Sequence, residues 1–198
     1  MRPILQINHL TKHIGPLLVL KDMSFVVYPG EVLGLAGWGG AGKSVLASIL
    51  AGIQTPEEGE LFFDGKKIKW PFNSRKFGFE VIHQEPKIVE GLDICANIFL
   101  GNELAFPQWQ DDKLISPQKK MDCISNEILT RLDVSLPSLH DNITSLSIEY
   151  RQLVAIARAM IKPARLILVD DTSALLGFHY QQVLLSLIQN WQQEGKSI

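Results

Sequence analysis

The sequence has few cysteines, little net charge and no long apolar run. Its two cysteines, Cys95 and Cys123, cannot build a disulfide framework or a paired metal-ligand motif. Nineteen Lys and Arg against 21 Asp and Glu leave a formal net charge of −2, which gives no electrostatic case for nucleic-acid binding. No apolar run approaches the roughly 18 residues that span a bilayer, and the polar residues near the start are not typical of a secretion signal. Because 46% of the residues are hydrophobic, the sequence predicts a soluble, cytosolic, globular chain.

Strand and helix patterns alternate along the chain. A buried-type strand at residues 32–36 precedes an amphipathic helix at 43–50, and another buried-type strand is expected at 166–169. Residues 90–145 have a helical pattern, with a polar loop at about 107–120 inside it. Strands that alternate with helices predict an α/β fold with a mainly parallel sheet.

The strongest motif is a glycine-rich segment between the first of these strands and its helix. It satisfies the pattern G-x-x-x-x-G-K-[ST], in which glycines let backbone N–H groups point at phosphate oxygens. Lys43 can reach the β and γ phosphates, and the Ser44 hydroxyl can bind Mg²⁺. The alternative is a plain glycine-rich turn, and the Trp38 side chain is expected at the surface in either case. The predicted nucleotide-binding residues, here called the phosphate loop, are Gly37, Trp38, Gly39, Gly40, Ala41, Gly42, Lys43 and Ser44.

Two acidic residues directly follow the strand at 166–169. A carboxylate at the carboxyl end of a buried strand can hold the metal of a nucleotide site, so Asp170 is the predicted metal-side ligand. Asp171 could polarise the attacking water. The alternative is that both acids only begin a turn, which acidic residues favour.

Together these motifs resemble an ATP-binding cassette, the motor domain of ABC transporters, and the resemblance covers essentially the whole chain. Residues 81–85 are similar to the family's Q-loop, so Gln84 would help to bind Mg²⁺ and sense the membrane subunit. Residues 97–101 look like the carbohydrate-import branch, whose members usually carry two cassettes in one polypeptide, and the chain resembles the first of them. The resemblance implies a P-loop NTPase core at 1–89 and 146–198, with an N-terminal antiparallel β lobe and an inserted helical subdomain at 90–145.

The resemblance also implies how such a domain works. Two cassettes would enclose ATP and Mg²⁺ between the phosphate loop of one and the signature segment of the other. Closure would move membrane-spanning permease subunits, which a solute-binding protein serves indirectly. The chain would then lie in the cytoplasm, at the inner face of the cell membrane, and hydrolyse ATP as part of an importer for a sugar or related small solute.

The signature segment, residues 146–150, departs from the family pattern. It reads Leu-Ser-Ile-Glu-Tyr where the family has Leu-Ser-Gly-Gly-Gln, so Ser147, Ile148 and Glu149 would act on the partner's ATP. Two like charges about 4 Å apart repel by roughly 4 kcal/mol at an effective dielectric of 20. We therefore expect Glu149 to weaken that composite site. Alternatively, Glu149 is an acid in the first turn of a helix capped by Ser147, where it is mildly favourable.

Three further departures point to reduced activity. Asp171 stands where the family has glutamate, which would slow hydrolysis. The aromatic that stacks on adenine falls near Ile14, and His13 is either its substitute or an exposed histidine. The family's switch histidine would fall beyond Ile198, so the chain is expected to be a truncated cassette. These departures leave a second function open, a non-catalytic cassette that binds ATP and leaves turnover to a partner cassette.

Overall fold

The computed structural model of the chain describes residues 1–103 and 116–198. They form two compact units. The first unit comprises Met1–Val81, Ala164–Asp170 and Leu187–Ile198. The second unit comprises Ile82–Pro163 and Asp171–Ser186. The division between the two units runs between Asp170 and Asp171 and again between Ser186 and Leu187.

The first unit begins with an antiparallel sheet. Its strands β1 to β4 lie in the order β2-β1-β3-β4. The central strand β1 has Leu5 opposite Val27 of β2 and Phe63 of β3. The register shifts between Ile7 and Leu10, and this bulge keeps both side chains buried although three positions separate them. The bounds of the four strands are Leu5–Ile14, Leu17–Val27, Glu58–Phe63 and Lys66–Ile68.

One short helix packs into the core of the first unit. Helix α1 covers Lys43–Leu50, as the sequence predicted, and its buried residues recur at helical spacing. The helix ends before Gly52, whose φ of 79° is the left-handed conformation that favours glycine after a helix. The Trp70 indole N–H donates to the Ile49 carbonyl at 2.9 Å and so fixes the end of α1 against the sheet region. The buried residues of α1 are Leu46, Ile49 and Leu50.

The strand predicted at residues 32–36 is wrong. Only its start is tied down: Leu33 N–H donates to the Ile198 carbonyl, and Ile198 N–H donates to the Glu31 carbonyl, both at 2.9 Å. Val32 and Leu35 stay 42% and 49% exposed, whereas a strand in a parallel sheet is covered on both faces. An apolar run fits a buried strand only if neighbours pair with it along its length.

The expected mainly parallel sheet is also not found in the described parts of the chain. Strands β1 to β4 pair antiparallel. Strand β5 (Phe79–Ile82) pairs with β6 (Leu166–Val169) in a separate two-stranded sheet. Near the C-terminus, a single parallel bridge joins Ser197 to Leu166.

The second unit is mainly helical. Asp93 caps α2, because its carboxylate accepts from the Ala96 N–H at 2.7 Å, and Ser116 caps α3 through the Lys119 N–H. Of the polar loop predicted at 107–120, residues 117–120 are helical, and 107–115 lie outside the described residues. The helices α2, α3, α4 and α5 cover Ile94–Phe99, Pro117–Arg131, Ile148–Met160 and Phe178–Gln193, the last of them shared with the first unit.

A buried arginine joins the parts of the second unit. The Arg158 guanidinium of α4 donates to the Asn97 carbonyl at 2.7 Å and also to the Lys87 carbonyl. The Asn97 amide in turn bonds the backbone of Val89. These bonds fix α2 and the segment before it against α4. In the part of the chain that is described, no helix is long and apolar enough to cross a membrane.

Candidate nucleotide site

Gly42 is the N-cap residue of α1, and both its backbone conformation and its close neighbours require glycine. Its φ is 87° and its ψ 9°, in the left-handed region. A Cβ here would lie 2.8 Å from Val19 Cγ1, 2.9 Å from Leu20 Cδ2 and 3.1 Å from the Val19 carbonyl. No side chain caps α1, so backbone N–H groups of its first turn remain available to an anion. This geometry fits the predicted phosphate cradle.

Two hydrogen bonds from the Lys43 side chain stabilise the phosphate loop. The Lys43 ammonium donates to the Gly37 carbonyl at 2.7 Å and to the Trp38 carbonyl at 3.0 Å. The Trp38 carbonyl also accepts from the Ala41 N–H at 3.1 Å. The Trp38 side chain is 91% exposed, as predicted for a surface loop residue. Lys43 therefore places a positive charge within the loop.

Ser44 and Asp170 meet although 126 positions separate them. The Ser44 hydroxyl donates to Asp170 Oδ1 at 3.1 Å, and both residues belong to the first unit. Asp170 directly follows β6, and Ser44 lies in the first turn of α1. A hydroxyl beside a carboxylate is the oxygen donor set that Mg²⁺ prefers. The described residues contain no cluster of three or more His, Cys, Asp or Glu side chains that could hold a metal ion by themselves.

The other two predicted site residues, Asp171 and Gln84, belong to the second unit. Asp171 has a φ of 45° and begins the 3₁₀ turn Thr172–Leu175, so the turn interpretation of the acidic pair describes its local structure correctly. Asparagine and aspartate tolerate this left-handed conformation better than most residues. Gln84 is exposed and follows His83, whose carbonyl accepts from the Gln152 amide at 3.0 Å. The roles predicted for Asp171 and Gln84 stay predictions.

The signature segment leads into α4 as the sequence predicted. The Ser147 hydroxyl accepts from the Tyr150 N–H at 3.3 Å and caps the helix. Ile148 is 52% exposed. The Glu149 carboxylate accepts from the Gly177 N–H at 2.6 Å, a contact that sequence reasoning missed because it joins residues 28 positions apart.

Sequence reasoning also missed two buried polar residues of the second unit. Gln152 of α4 is fully buried, and its Oε1 has no hydrogen-bond partner among the described residues. Thr172 is fully buried too, and its hydroxyl donates to the Ile82 carbonyl at 3.4 Å. The only signal for Gln152 was a polar residue on the apolar face of a predicted helix. Both side chains anchor the backbone next to predicted site residues, Gln84 and Asp171.

The region expected to hold an adenine-stacking aromatic offers an exposed surface instead. Ile14 is 51% exposed at the end of β1. His13 is exposed, its N–H donates to the Glu57 carboxylate at 2.7 Å, and its Nδ1 lies 3.7 Å from the same group. The hydrogen bond from the Lys12 ammonium lowers the pKa of Glu57 to about 2. His13 therefore fits the interpretation as an exposed histidine.

Solved structures with this fold are ABC proteins. The chain aligns over its whole length with cbiO1 of Clostridium perfringens, part of an ABC transporter complex, at a TM-score of 0.73 and 21% identity, and covers 77% of that chain. It also aligns over its whole length with a bacterial Atm1-family ABC exporter with ATP bound, at a TM-score of 0.80 and 22% identity, and covers 34% of it. These likenesses confirm the predicted fold class.

Related sequences carry names of import ATP-binding proteins. The xylose/arabinose import ATP-binding protein XylG of Sulfolobus acidocaldarius is 34% identical over 200 residues, which cover all of this chain and 77% of that protein. The ribose import ATP-binding protein RbsA of Caldanaerobacter subterraneus is 36% identical, and RbsA 2 of Escherichia coli O157:H7 is 33% identical. The chain spans only 39% and 38% of those two proteins.

The family assignment rests on a match to most of the chain. The family described as ABC transporter matches residues 20–174, a range that includes the phosphate loop, the signature segment and both acids after β6. The relatives above match the chain from end to end. The expected membership is thereby confirmed, and the chain belongs to the ABC transporter family.

Proposed function

We propose that the chain is an ATP-binding and ATP-hydrolysing subunit of an ABC importer for a sugar or related small solute. The observation that carries this proposal is the phosphate loop with its partner acid. No side chain caps the start of α1 after Gly42, Lys43 lies within the loop, and Ser44 bonds Asp170. This arrangement supplies backbone donors, a cation and oxygen ligands for a nucleoside triphosphate and its metal.

Each residue has a distinct part in this proposal. The backbone N–H groups of the phosphate loop bind phosphate oxygens, and Lys43 leaves its carbonyl partners to bind the β and γ phosphates. Ser44 and Asp170 hold Mg²⁺, which neutralises charge on the phosphates. From the family resemblance, Gln84 adds a further metal contact, and Asp171 polarises the attacking water.

Hydrolysis should be slow because Asp171 is one methylene shorter than the family's glutamate. The carboxylate is withdrawn by about 1 Å, and such a displacement can cost on the order of a hundredfold in rate. The backbone at this position supports aspartate, since a φ of 45° is easier for aspartate than for a longer side chain. Slow turnover is therefore part of the proposal.

The names of the relatives support the solute class, and the family resemblance supports the partners. Their names describe import of xylose, arabinose and ribose, which supports a sugar or related small solute for this chain. A cassette of this kind needs membrane-spanning permease subunits and a second cassette, on another or the same polypeptide, and it serves a solute-binding protein indirectly. The proposed location is the cytoplasmic face of the membrane, with no nucleic-acid partner.

A second function, a non-catalytic cassette that binds ATP, is favoured by two specific residues. Asp171 replaces the water-activating glutamate, and Glu149 replaces a glycine in the signature segment. Such a cassette would stay closed on ATP and leave turnover to its partner.

The binding step is tested by calorimetry of ATP with and without Mg²⁺. We expect Mg²⁺-dependent binding by the chain and its loss in Lys43→Ala, because the ammonium would otherwise contact the phosphates. Lys66→Ala removes the same charge from the exposed edge of β4 and serves as the matched control. Equal binding by Lys43→Ala and Lys66→Ala would contradict the proposal.

The catalytic step is tested by ATPase assays of Asp171→Glu beside Asp171→Asn. A weakened enzyme should gain turnover with the longer carboxylate and lose it with the amide. A cassette that only binds ATP should change in neither variant.

A further inference from the structure

The segment at residues 171–177, here called the Asp171 segment, joins a predicted catalytic residue to helix α5. Its backbone is closed on itself, because Asp171 O accepts from Ala174 N–H at 3.2 Å and Ser173 O accepts from Leu176 N–H at 3.1 Å. The Gln181 amide of α5 donates to the carbonyls of Ser173 and Leu176, at 3.2 and 2.8 Å. The segment is therefore one piece with the first turn of α5.

Glu149 holds this piece at its end. Its carboxylate accepts from the Gly177 N–H at 2.6 Å, a charge-assisted hydrogen bond of short length. Glu149 lies in the first turn of α4, directly after Ile148 of the signature segment. The bond thus ties the signature segment to the Asp171 segment, and all the residues involved belong to the second unit.

Two neighbouring contacts keep α5 next to α4 but act on the helix rather than on the Asp171 segment. The Tyr180 hydroxyl donates to the Tyr150 hydroxyl at 3.3 Å, and this bond raises the pKa of Tyr180 to about 12. His179 Nε2 lies 2.8 Å from the Asp133 carboxylate. Loss of Glu149 should therefore leave the helix in place and release only the backbone at Gly177.

From these contacts we propose that Glu149 is a positioning residue, which sets the placement of Asp171 through its hydrogen bond to the Gly177 N–H. It acts through the Asp171 segment and does not itself contact the reacting atoms. The inference rests on the proposed function for its catalytic consequence, whereas the placement itself is a property of the second unit.

The placement is tested by ¹⁵N–¹H NMR of the whole chain. In Glu149→Ala the Gly177 amide signal should move upfield as it loses its carboxylate acceptor, and the Asp171 and Ala174 amide signals should move with it. Glu149→Gln keeps an acceptor oxygen, so its Asp171 signal should stay near that of the wild type. Glu127→Ala on the exposed face of α3 is the matched control. Unchanged Asp171 and Gly177 signals in Glu149→Ala would overturn the proposal.

The catalytic consequence is tested by steady-state ATPase kinetics. We expect Glu149→Ala to lower kcat by about tenfold without raising KM, since a displaced catalytic group affects the reaction step rather than ATP binding. Glu149→Gln should retain most of the wild-type kcat. A kcat for Glu149→Ala equal to or above the wild type would overturn the proposal and favour phosphate repulsion by Glu149.

A double-mutant cycle shows whether Glu149 acts through Gly177. Gly177→Pro removes the N–H donor, and Leu176 before it has the extended conformation, φ −102° and ψ 133°, that a following proline requires. The added ring also displaces the Glu149 carboxylate, because a Cβ at position 177 would lie 3.0 Å from Glu149 Oε1. Glu149→Ala should therefore lower kcat no further in this background. Additive effects would place the action of Glu149 elsewhere and refute the proposal.

Failure of the proposed function has a different result. If the wild-type chain has no ATPase activity, the catalytic part of the proposed function fails. The NMR comparison of Glu149→Ala with Glu149→Gln then decides the positioning of Asp171 by itself.

Discussion

Three of the four glycines of the phosphate loop permit a graded test of why this loop needs them. Gly39 has neither a positive φ nor a neighbour that a Cβ would meet within 4 Å. Gly40 has a φ of 81° but open space around it. Gly42 combines a φ of 87° with contacts of 2.8 Å to Val19 and 2.9 Å to Leu20. Substitution by alanine therefore adds neither strain nor a clash at position 39. It adds backbone strain alone at position 40, and strain together with a steric clash at position 42.

The expected losses in the free energy of unfolding follow from these environments. Gly39→Ala should change it by less than about 0.5 kcal/mol, as for an ordinary surface substitution. Gly40→Ala should lose about 1–2 kcal/mol, the cost of a left-handed backbone with a Cβ. Gly42→Ala should lose a further 1–3 kcal/mol or so, because the clash involves the Val19 backbone as well as two side chains.

The assay is urea unfolding followed by far-ultraviolet circular dichroism, with ATP calorimetry on the same three variants. Gly39→Ala should be the most stable of the three variants, Gly40→Ala less stable and Gly42→Ala the least stable. Gly42→Ala should also lose the most ATP affinity, because residue 42 sets the start of α1. Equal losses for Gly40→Ala and Gly42→Ala would refute the argument that the close approach of β2 dictates glycine at position 42.

Two further predictions concern the second unit. Arg158→Met should lower the free energy of unfolding by about 3 kcal/mol, because the carbonyl of the buried Asn97 and that of Lys87 lose a charged donor. Urea unfolding beside the exposed control Lys162→Met measures it, and equal losses would contradict it. The hydrogen bond to Asp93 raises the pKa of His140 above its ordinary value of 6.5. Protonated His140 therefore stabilises the fold fully below pH 6.5, and this stabilisation is lost as the pH rises through the raised pKa. The urea midpoint should fall over this range in the wild type and not in His140→Gln; parallel curves would contradict it.

Local signals predicted the helices of this chain well. The helix at Lys43–Leu50 and the start of α4 depend on residues close in sequence, namely the left-handed Gly42 and the capping Ser147. The contact of Ser44 with Asp170 was predictable for a different reason. The motif assigned each residue a role at the same metal, so the pattern itself implied that they meet.

The prediction of a strand at residues 32–36 was wrong because an apolar run does not show which segments pair with it. Whether such a run becomes a strand depends on hydrogen-bond partners along it, and here they are found at Leu33 and Glu31. The bond from Gly177 to Glu149 could not be predicted for a related reason. The sequence shows an acid in a first turn, but not which distant N–H group the fold brings to it.

Glu149 shows how the location of a charge decides between two arguments that the sequence left open. The hydrogen bond to Gly177 is worth about 1.5–3 kcal/mol, and each adjacent helix start adds about 0.3–1 kcal/mol. These local terms are of the same order as the roughly 4 kcal/mol repulsion expected from a phosphate at 4 Å. They also differ in when they act, because the local terms are present at all times and the repulsion arises only when a partner's ATP meets the signature segment.

The two effects should therefore separate in the kinetics of one substitution. Glu149→Gln removes the charge but keeps an acceptor for the Gly177 N–H, so the repulsion should disappear while the placement of Asp171 remains. We expect KM for ATP to fall and kcat to stay near the wild-type value. The fall in KM should be smaller at high salt, because screening weakens the repulsion. A fall in kcat without a fall in KM would mean that the negative charge itself is needed to hold Gly177, and that phosphate repulsion by Glu149 is negligible.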